Sequence, residues 1–222
     1  MKEKVLITGA SGFLGFHMIN AAIENELDVY AAVRRKSNIQ HLKELPVQFV
    51  ELNFADTEGL NAVFTKNDFD YVIHAAGTTK ANTQKEYDLV NDSYTQNLAQ
   101  AAAKNKEQVK RFVFISSLAA TGPIKSNEGK IKEDKDPNPV TAYGKSKLSA
   151  EKNLEKVDLP TTILRPTAIY GPREKDIFLI NQYLSKGFEP YIGRAPQKLS
   201  FVYGKDVADL AVKVLTNQHA NG

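Results

Sequence analysis

The chain opens with a strand-like run that breaks on three evenly spaced glycines. "KVLI" leads into "TGASGFLG", Thr8 to Gly15, with Gly9, Gly12 and Gly15 three apart, and an amphipathic run follows at once. Strand, glycine turn and helix in that order begin a strand–helix–strand unit. The alternation then continues. Apolar strand-like runs cover residues 5–8, 29–33, 47–52, 71–75, 111–116 and 161–165, and helical patterns cover 12–24, 58–65, 83–104 and 143–156. Short, nearly continuous apolar strands separated by helices predict an α/β fold with a parallel sheet covered on both faces.

Composition narrows the chemistry. The 222 residues are 42% hydrophobic and 25% charged, enough for a sizeable core. There are no cysteines, which excludes a disulfide framework and a thiolate nucleophile. His17, His41, His74 and His219 are scattered without metal-ligand spacing, so no metal is expected. A net charge of +3 is too balanced to argue for nucleic acid, and Lys104, Lys106, Lys110 and Arg111 read as a solvated helix end. No apolar run approaches the roughly 20 residues of a bilayer span. "MKEKVLITG" is not a signal-peptide pattern, so a cytoplasmic setting without a membrane partner is expected. Residues 123–139, polar and holding three prolines, read as a long loop, and loops of that length tend to be functional.

In open parallel sheets, ligands bind beyond the carboxyl ends of the strands. The glycine turn sits at such an end. Gly9 allows a tight turn, Gly12 lets a backbone approach a bulky anion, and Gly15 lets helix and strand pack closely. The helix N-terminus offers free N–H groups and a partial positive charge to a pyrophosphate, with Ser11 inside the same turn. The second strand ends "AAVRRKSN". An acidic residue about 20 positions past the glycines would hold ribose hydroxyls, whereas an arginine accommodates a 2′-phosphate. Val33 stands where the acid would be and Asp28 is at the wrong end of the strand. Arg34 is therefore the 2′-phosphate candidate, with Arg35 and Ser37 as helpers, which favours NADP(H) and leaves NAD(H) open.

"FVFISS" carries a strand into a Ser–Ser turn, and "YGKSK" places Tyr143 and Lys147 four apart, on one face of a helix. Tyrosine ionises near pH 10, and a nearby ammonium together with an oxidised nicotinamide stabilises the phenolate. Such a tyrosine serves as acid or base on an alcohol or carbonyl, a serine hydroxyl holds the same oxygen, and the cofactor carries the hydride.

"TGASGFLG", "DYVIHAAG", "VNDSYTQNL", "FVFISS", "YGKSK", "LRPTAIYGP" and "FVYGKDVADL" run along the whole chain. Together they resemble the extended short-chain dehydrogenases/reductases of the NAD(P)-dependent epimerase/dehydratase superfamily. The resemblance implies a Rossmann-type doubly wound sheet over residues 1–172 and a small, truncated substrate lobe over 173–222, with a helix returning to the core. It also implies that Gly9, Gly12, Phe13 and Leu14 line the pyrophosphate and that Asn53 and Phe54 sit by the adenine. Ala75, Ala76 and Gly77 would flank a ribose, and Pro166 and Ala168 would lie near the nicotinamide. Ser117 matches the catalytic serine, with Ser116 as second choice, Tyr143 the acid/base and Lys147 its activator. A homodimer through helices 83–104 and 143–156 is implied as well.

Departures from the family pattern separate its branches. Dehydratases carry an Asp-Glu pair where Leu118 and Ala119 stand, so water elimination is discounted. Arg34 in place of the ribose acid resembles the dihydroflavonol-reductase-like branch. The leading expectation is an NADP(H)-dependent reductase or dehydrogenase acting on a carbonyl or secondary alcohol of a small or sugar-like substrate. A nucleotide-sugar epimerase with bound NAD is the alternative, and a non-catalytic NADP(H) sensor is a third. Since relatives continue beyond "NQHANG", part of the substrate pocket is expected to be missing and lid closure weakened.

Overall fold

The computed structural model describes residues 2–124, 129–188, 199–217 and 220. Six strands, β1 (Lys4–Thr8), β2 (Asp28–Val33), β3 (Val47–Glu51), β4 (Tyr71–His74), β5 (Arg111–Ile115) and β6 (Thr161–Leu164), form one sheet in the order β3-β2-β1-β4-β5-β6. Every pair in it is parallel. This is the Rossmann-type doubly wound sheet. A second, two-stranded parallel sheet pairs β7 (Ala168–Tyr170) with β8 (Phe201–Tyr203). The helices are α1 (Phe13–Glu24), α2 (Thr57–Asn67), α3 (Gln84–Asp88), α4 (Tyr94–Lys104), α5 (Ala142–Leu154), α6 (Asp176–Ser185) and α7 (Gly204–Thr216).

The period of two along each strand decides which helices cover which face. Val5 and Ile7 of β1, Ile73 of β4 and Val113 of β5 pack with Met18 and Ile19 of α1 and with Ala208, Ala211 and Leu215 of α7. Leu6, Val72, Phe112 and Phe114 point the other way, onto Leu60 and Phe64 of α2, Leu98 and Ala99 of α4 and Leu154 of α5. Each buried Leu, Ile or Phe contributes about 1.5–3 kcal/mol of transfer free energy. The strand order reverses between β1 and β4, and this opens a crevice at their carboxyl ends.

Two expectations are corrected. The helix expected over 83–104 is interrupted by a π turn over Leu89–Ser93. The wider turn lets buried Asn91 take the Thr78 N–H on its Oδ1 at 2.7 Å and donate to the Thr78 carbonyl at 2.9 Å and to Ser146 Oγ at 3.0 Å. Arg111 is not on a solvated helix end. It is buried in β5 and reaches Thr162 Oγ1 and the Asn217 carbonyl. Elements β7, β8 and α6 have no counterpart among the strand-like and helical runs of the sequence, and α7, which packs with α1 on one face of the sheet, lies in the stretch where the resemblance implies a helix returning to the core. Of the loop 123–139, residues 125–128 lie outside the described residues, as do 189–198, which hold most of "YIGRAPQKLSFV", and His219.

Close packing at the first turn is testable. A Cβ on Gly15 would lie 2.2 Å from the Gly9 carbonyl oxygen, whereas one on Gly12 would meet it at 3.1 Å. Gly15→Ala should lower unfolding free energy by about 1–3 kcal/mol through overpacking, and Gly12→Ala by clearly less. Urea unfolding of the two variants checks this; equal losses would contradict it.

Candidate active site

The site is built from strand ends. Gly9 adopts φ +70°, and a Cβ there would lie 2.7 Å from the Ala75 carbonyl carbon, so the turns after β1 and β4 touch backbone to backbone. Gly12, extended at φ −81° and ψ 178°, starts α1 with no side-chain cap. Asp56, Thr83 and Thr141 do cap α2, α3 and α5. The first-turn N–H groups of a helix have no intrahelical acceptor, so α1 keeps its donors and partial positive charge for an anion. A cradle without room for a side chain, ending on an uncapped helix, fits a pyrophosphate.

A cleft of about 330 Å³ opens beside this turn and is lined by Gly9, Ser11, Gly12, Arg34, Phe54, Ala75, Ala76 and Gly77, among others. Among the described residues no carboxylate lines it. Arg34 directly follows β2, and a turn pins it: its N–H donates to Ser37 Oγ at 3.1 Å, and the Ser37 N–H returns to its carbonyl at 2.8 Å. Arg34 also lines an adjoining cavity of about 730 Å³, with Lys80 and Tyr87. Other expected cofactor residues lie off the cleft. The Phe13 ring turns to His17 and Gly204, and Leu14 packs into the core, so both can offer only backbone N–H groups. Asn53 is exposed and its Oδ1 accepts the Ala55 N–H. Pro166 lines a different cavity, and Ala168 is exposed on β7.

His74, given no role in the sequence reading, joins the two turns. The Ala76 N–H donates to Thr8 Oγ1 at 3.1 Å, which leaves the Thr8 hydroxyl proton for His74 Nδ1 at 2.7 Å. Thr95 spends its proton on the Asn91 carbonyl, so His74 Nε2 must donate to Thr95 at 2.9 Å. The network thus assigns a neutral imidazole with its proton on Nε2. Burial, and then the charge of Lys147, push His74 down to about 3. Only the strand pattern around this residue is visible in sequence, not its chain of four hydrogen bonds.

Ser117, Tyr143 and Lys147 converge at the end of β5 and the start of α5. Ser117 begins the short 3₁₀ turn Leu118–Ala120, its Oγ accepting the Ala119 N–H at 3.2 Å, and its hydroxyl acts on the Tyr143 phenol. The Tyr143 ring meets Tyr87 of the larger cavity at 6.2 Å. Lys147 is 4% exposed, donates to the Ile115 carbonyl at 2.7 Å and lies 4.1 Å from the Phe114 ring centre. Burial pushes its ammonium down to about 7, opposed by Glu151. Burial also pushes the Tyr143 phenol above its ordinary value, opposed by the Ser117 hydrogen bond. Lys147 alone therefore does not make a low-pKa tyrosine, because its bond goes to Ile115. Ser116, the second-choice serine, spends its hydroxyl on buried Glu151.

The depressed lysine has a thermodynamic signature. Between about pH 7, its folded value, and 10.5, its ordinary value, the unfolded chain binds more protons, so unfolding free energy rises with pH there. Below that window the whole penalty is present, on the order of 3–5 kcal/mol at 1.36 kcal/mol per pH unit. Lys147→Met should stabilise the ligand-free chain at pH 6, with the advantage shrinking steadily toward pH 10. Denaturant unfolding at several pH values reads it, and a pH-independent difference would refute it.

The family profile described as NAD dependent epimerase/dehydratase family matches residues 5–222. The UDP-glucose 4-epimerase of Vibrio cholerae is 30% identical over 247 residues, covering 99% of this chain and 69% of its own length. The ceramide reductase of Caulobacter vibrioides is 28% identical over 204 residues, covering 92% of this chain. The chain spans 58% of that reductase. Among solved structures, the Bordetella bronchiseptica enzyme WbmH, in complex with NAD+, superposes with a TM-score of 0.82 at 29% identity over 97% of this chain and 73% of its own. UDP-glucuronic acid 4-epimerase from Bacillus cereus, in complex with NAD, gives 0.81 at 26% identity over 98% and 75%.

Proposed function

The chain belongs to the NAD-dependent epimerase/dehydratase family, and from that premise we propose that it is an NADP(H)-dependent oxidoreductase acting on a carbonyl or secondary alcohol. When bound, the dinucleotide supplies the hydride donor or acceptor. Gly9, Gly12 and the first turn of α1 hold the pyrophosphate, Arg34 the 2′-phosphate, Phe54 the adenine side and Ala75 to Gly77 a ribose. Ser117 holds the substrate oxygen. Tyr143 delivers a proton to that oxygen on reduction and takes it on oxidation. Lys147, fixed by the Ile115 carbonyl, sets the field in which the phenol works. Residues 1–172 form the dinucleotide unit, and 173–222 begin a substrate lobe. A cytoplasmic homodimer through α4 and α5 completes the proposal; among the described residues no helix is long and apolar enough to cross a membrane.

The observation that carries the NADP(H) assignment is Arg34 at the rim of a cleft without a carboxylate. One finding favours a second assignment. The relatives include a UDP-glucose 4-epimerase, and the solved structures include epimerases holding NAD, which supports a nucleotide-sugar epimerase with tightly held NAD. A pure sensor gains nothing from the Ser117, Tyr143 and Lys147 set. Leu118 and Ala119 offer no acid/base pair for dehydration.

Fluorescence titration with NADPH and, separately, NADH decides between the two enzymes. A charge-assisted bond is worth roughly 1.5–3 kcal/mol, so NADPH should bind about ten- to a hundredfold tighter. Arg34→Ala should erase that preference while leaving NADH affinity near its starting value. Equal or tighter NADH binding by the unaltered chain would favour the epimerase.

A further inference from the structure

Helix α5 carries a third polar residue on the stripe of Tyr143 and Lys147, one turn further on. Glu151 is 1% exposed. The Arg165 guanidinium grips it from the end of β6, Nε to both carboxylate oxygens at 3.1 Å and Nη2 to Oε2 at 2.8 Å. Ser116 donates its hydroxyl to Oε1 from the end of β5. The carboxylate is thus tied to the two strand ends that flank Lys147.

A buried ion pair is weak support for stability, because apolar residues of similar volume often replace it without loss. Its value here lies in what it faces. The groups around Lys147 are few. Tyr143 and Glu151 come from its own helix. The Ile115 carbonyl and the hydroxyls of Ser116 and Ser117 come from β5 and the turn after it. Arg165 comes from β6, behind Glu151, and is itself influenced by Glu133 and Glu155. His74 comes from β4 and is held neutral by its relay. Glu151 therefore supplies the negative charge on the Lys147 stripe, and Arg165 tempers it.

We propose that Glu151 and Arg165 form a charge pair that sets the proton affinity of Lys147 and, through it, the pH range in which the site works. Glu151 is in this account a positioning residue that acts through Lys147 and touches neither substrate nor cofactor. The consequence for working pH rests on the oxidoreductase assignment; the electrostatic coupling does not. The two partners carry opposite signs, so their removal must move Lys147 in opposite directions. Glu151→Gln keeps the shape and leaves Arg165 unopposed, which disfavours the ammonium. Arg165→Gln leaves the carboxylate facing Lys147 alone, which favours it.

The experiment is an NMR titration of the ligand-free chain carrying ¹³C at the lysine ε positions, from pH 5.5 to 10, with Lys147→Met identifying the resonance. Glu151→Gln should lower the Lys147 midpoint by about one pH unit or more, tenfold in proton affinity, and Arg165→Gln should raise it. Glu151→Asp, which retracts the charge by one methylene, should shift it as Glu151→Gln does but by less, and it stands in if Glu151→Gln does not fold. Unmoved midpoints, or shifts of the same sign for Glu151→Gln and Arg165→Gln, would overturn the proposal. Neither substrate nor cofactor enters this readout, so a failed oxidoreductase assignment leaves it intact. If midpoints shift as stated while the pH profile of turnover does not follow, the assignment of Lys147 to the reaction falls and the coupling stands.

Discussion

Backbone meets backbone where Gly9 passes Ala75, and everything at the carboxyl edge of the sheet is arranged around that contact. No Cβ fits at Gly9 or Gly15. Parallel pairing puts β1 beside β4, and the reversal of strand order between them opens the cleft. Touching turns alone would be free to slide. The relay from Ala76 through Thr8, His74 and Thr95 to the Asn91 carbonyl removes that freedom, because each of its four donors has one proton to give and one acceptor to receive it. The same relay reaches the π turn, whose Asn91 clamps Thr78 on the wall of the adjoining cavity.

A second cluster organises the other half of the site. Tyr143, Lys147 and Glu151 share one face of α5, and their partners Ser117, Ile115, Ser116 and Arg165 are ends of β5 and β6 or follow them directly. Burial dominates the electrostatics. It lowers the proton affinity of Lys147 and raises that of Tyr143, so on one face of α5 the ligand-free chain holds an ammonium that loses its proton readily and a neutral phenol that keeps its own. A site in that condition is sensitive to any further charge placed beside it, as the proposed dinucleotide-dependent acid/base would need.

Much of this was legible in the sequence because it is local. Strands 5–8 and 111–116 were readable from apolar runs, the cradle from glycine spacing, and Tyr143 with Lys147 from the helical period. What escaped is non-local. The π turn arises because Asn91 finds partners 13 and 55 residues away. His74 looked like a stray titratable group, since its meaning lies in hydroxyls on β1 and α4. Nothing in the sequence marks Glu151, and Arg111 reads as one of a basic run, because burial is a property of the fold and not of the segment. Strands β7 and β8 are only three residues each, too short for periodicity to register.

In the proposed function Tyr143 is a half-buried phenol made usable by positive charge beside it. The most direct measurement is its ionisation, followed by ultraviolet difference titration against Tyr143→Phe, with and without saturating oxidised dinucleotide. The account predicts a midpoint above the ordinary tyrosine value in the ligand-free chain and a fall of at least about one pH unit when the dinucleotide is bound. An unchanged midpoint in the bound chain would show that the ring and the phenol are not neighbours, and the hydride-transfer assignment would fail with it.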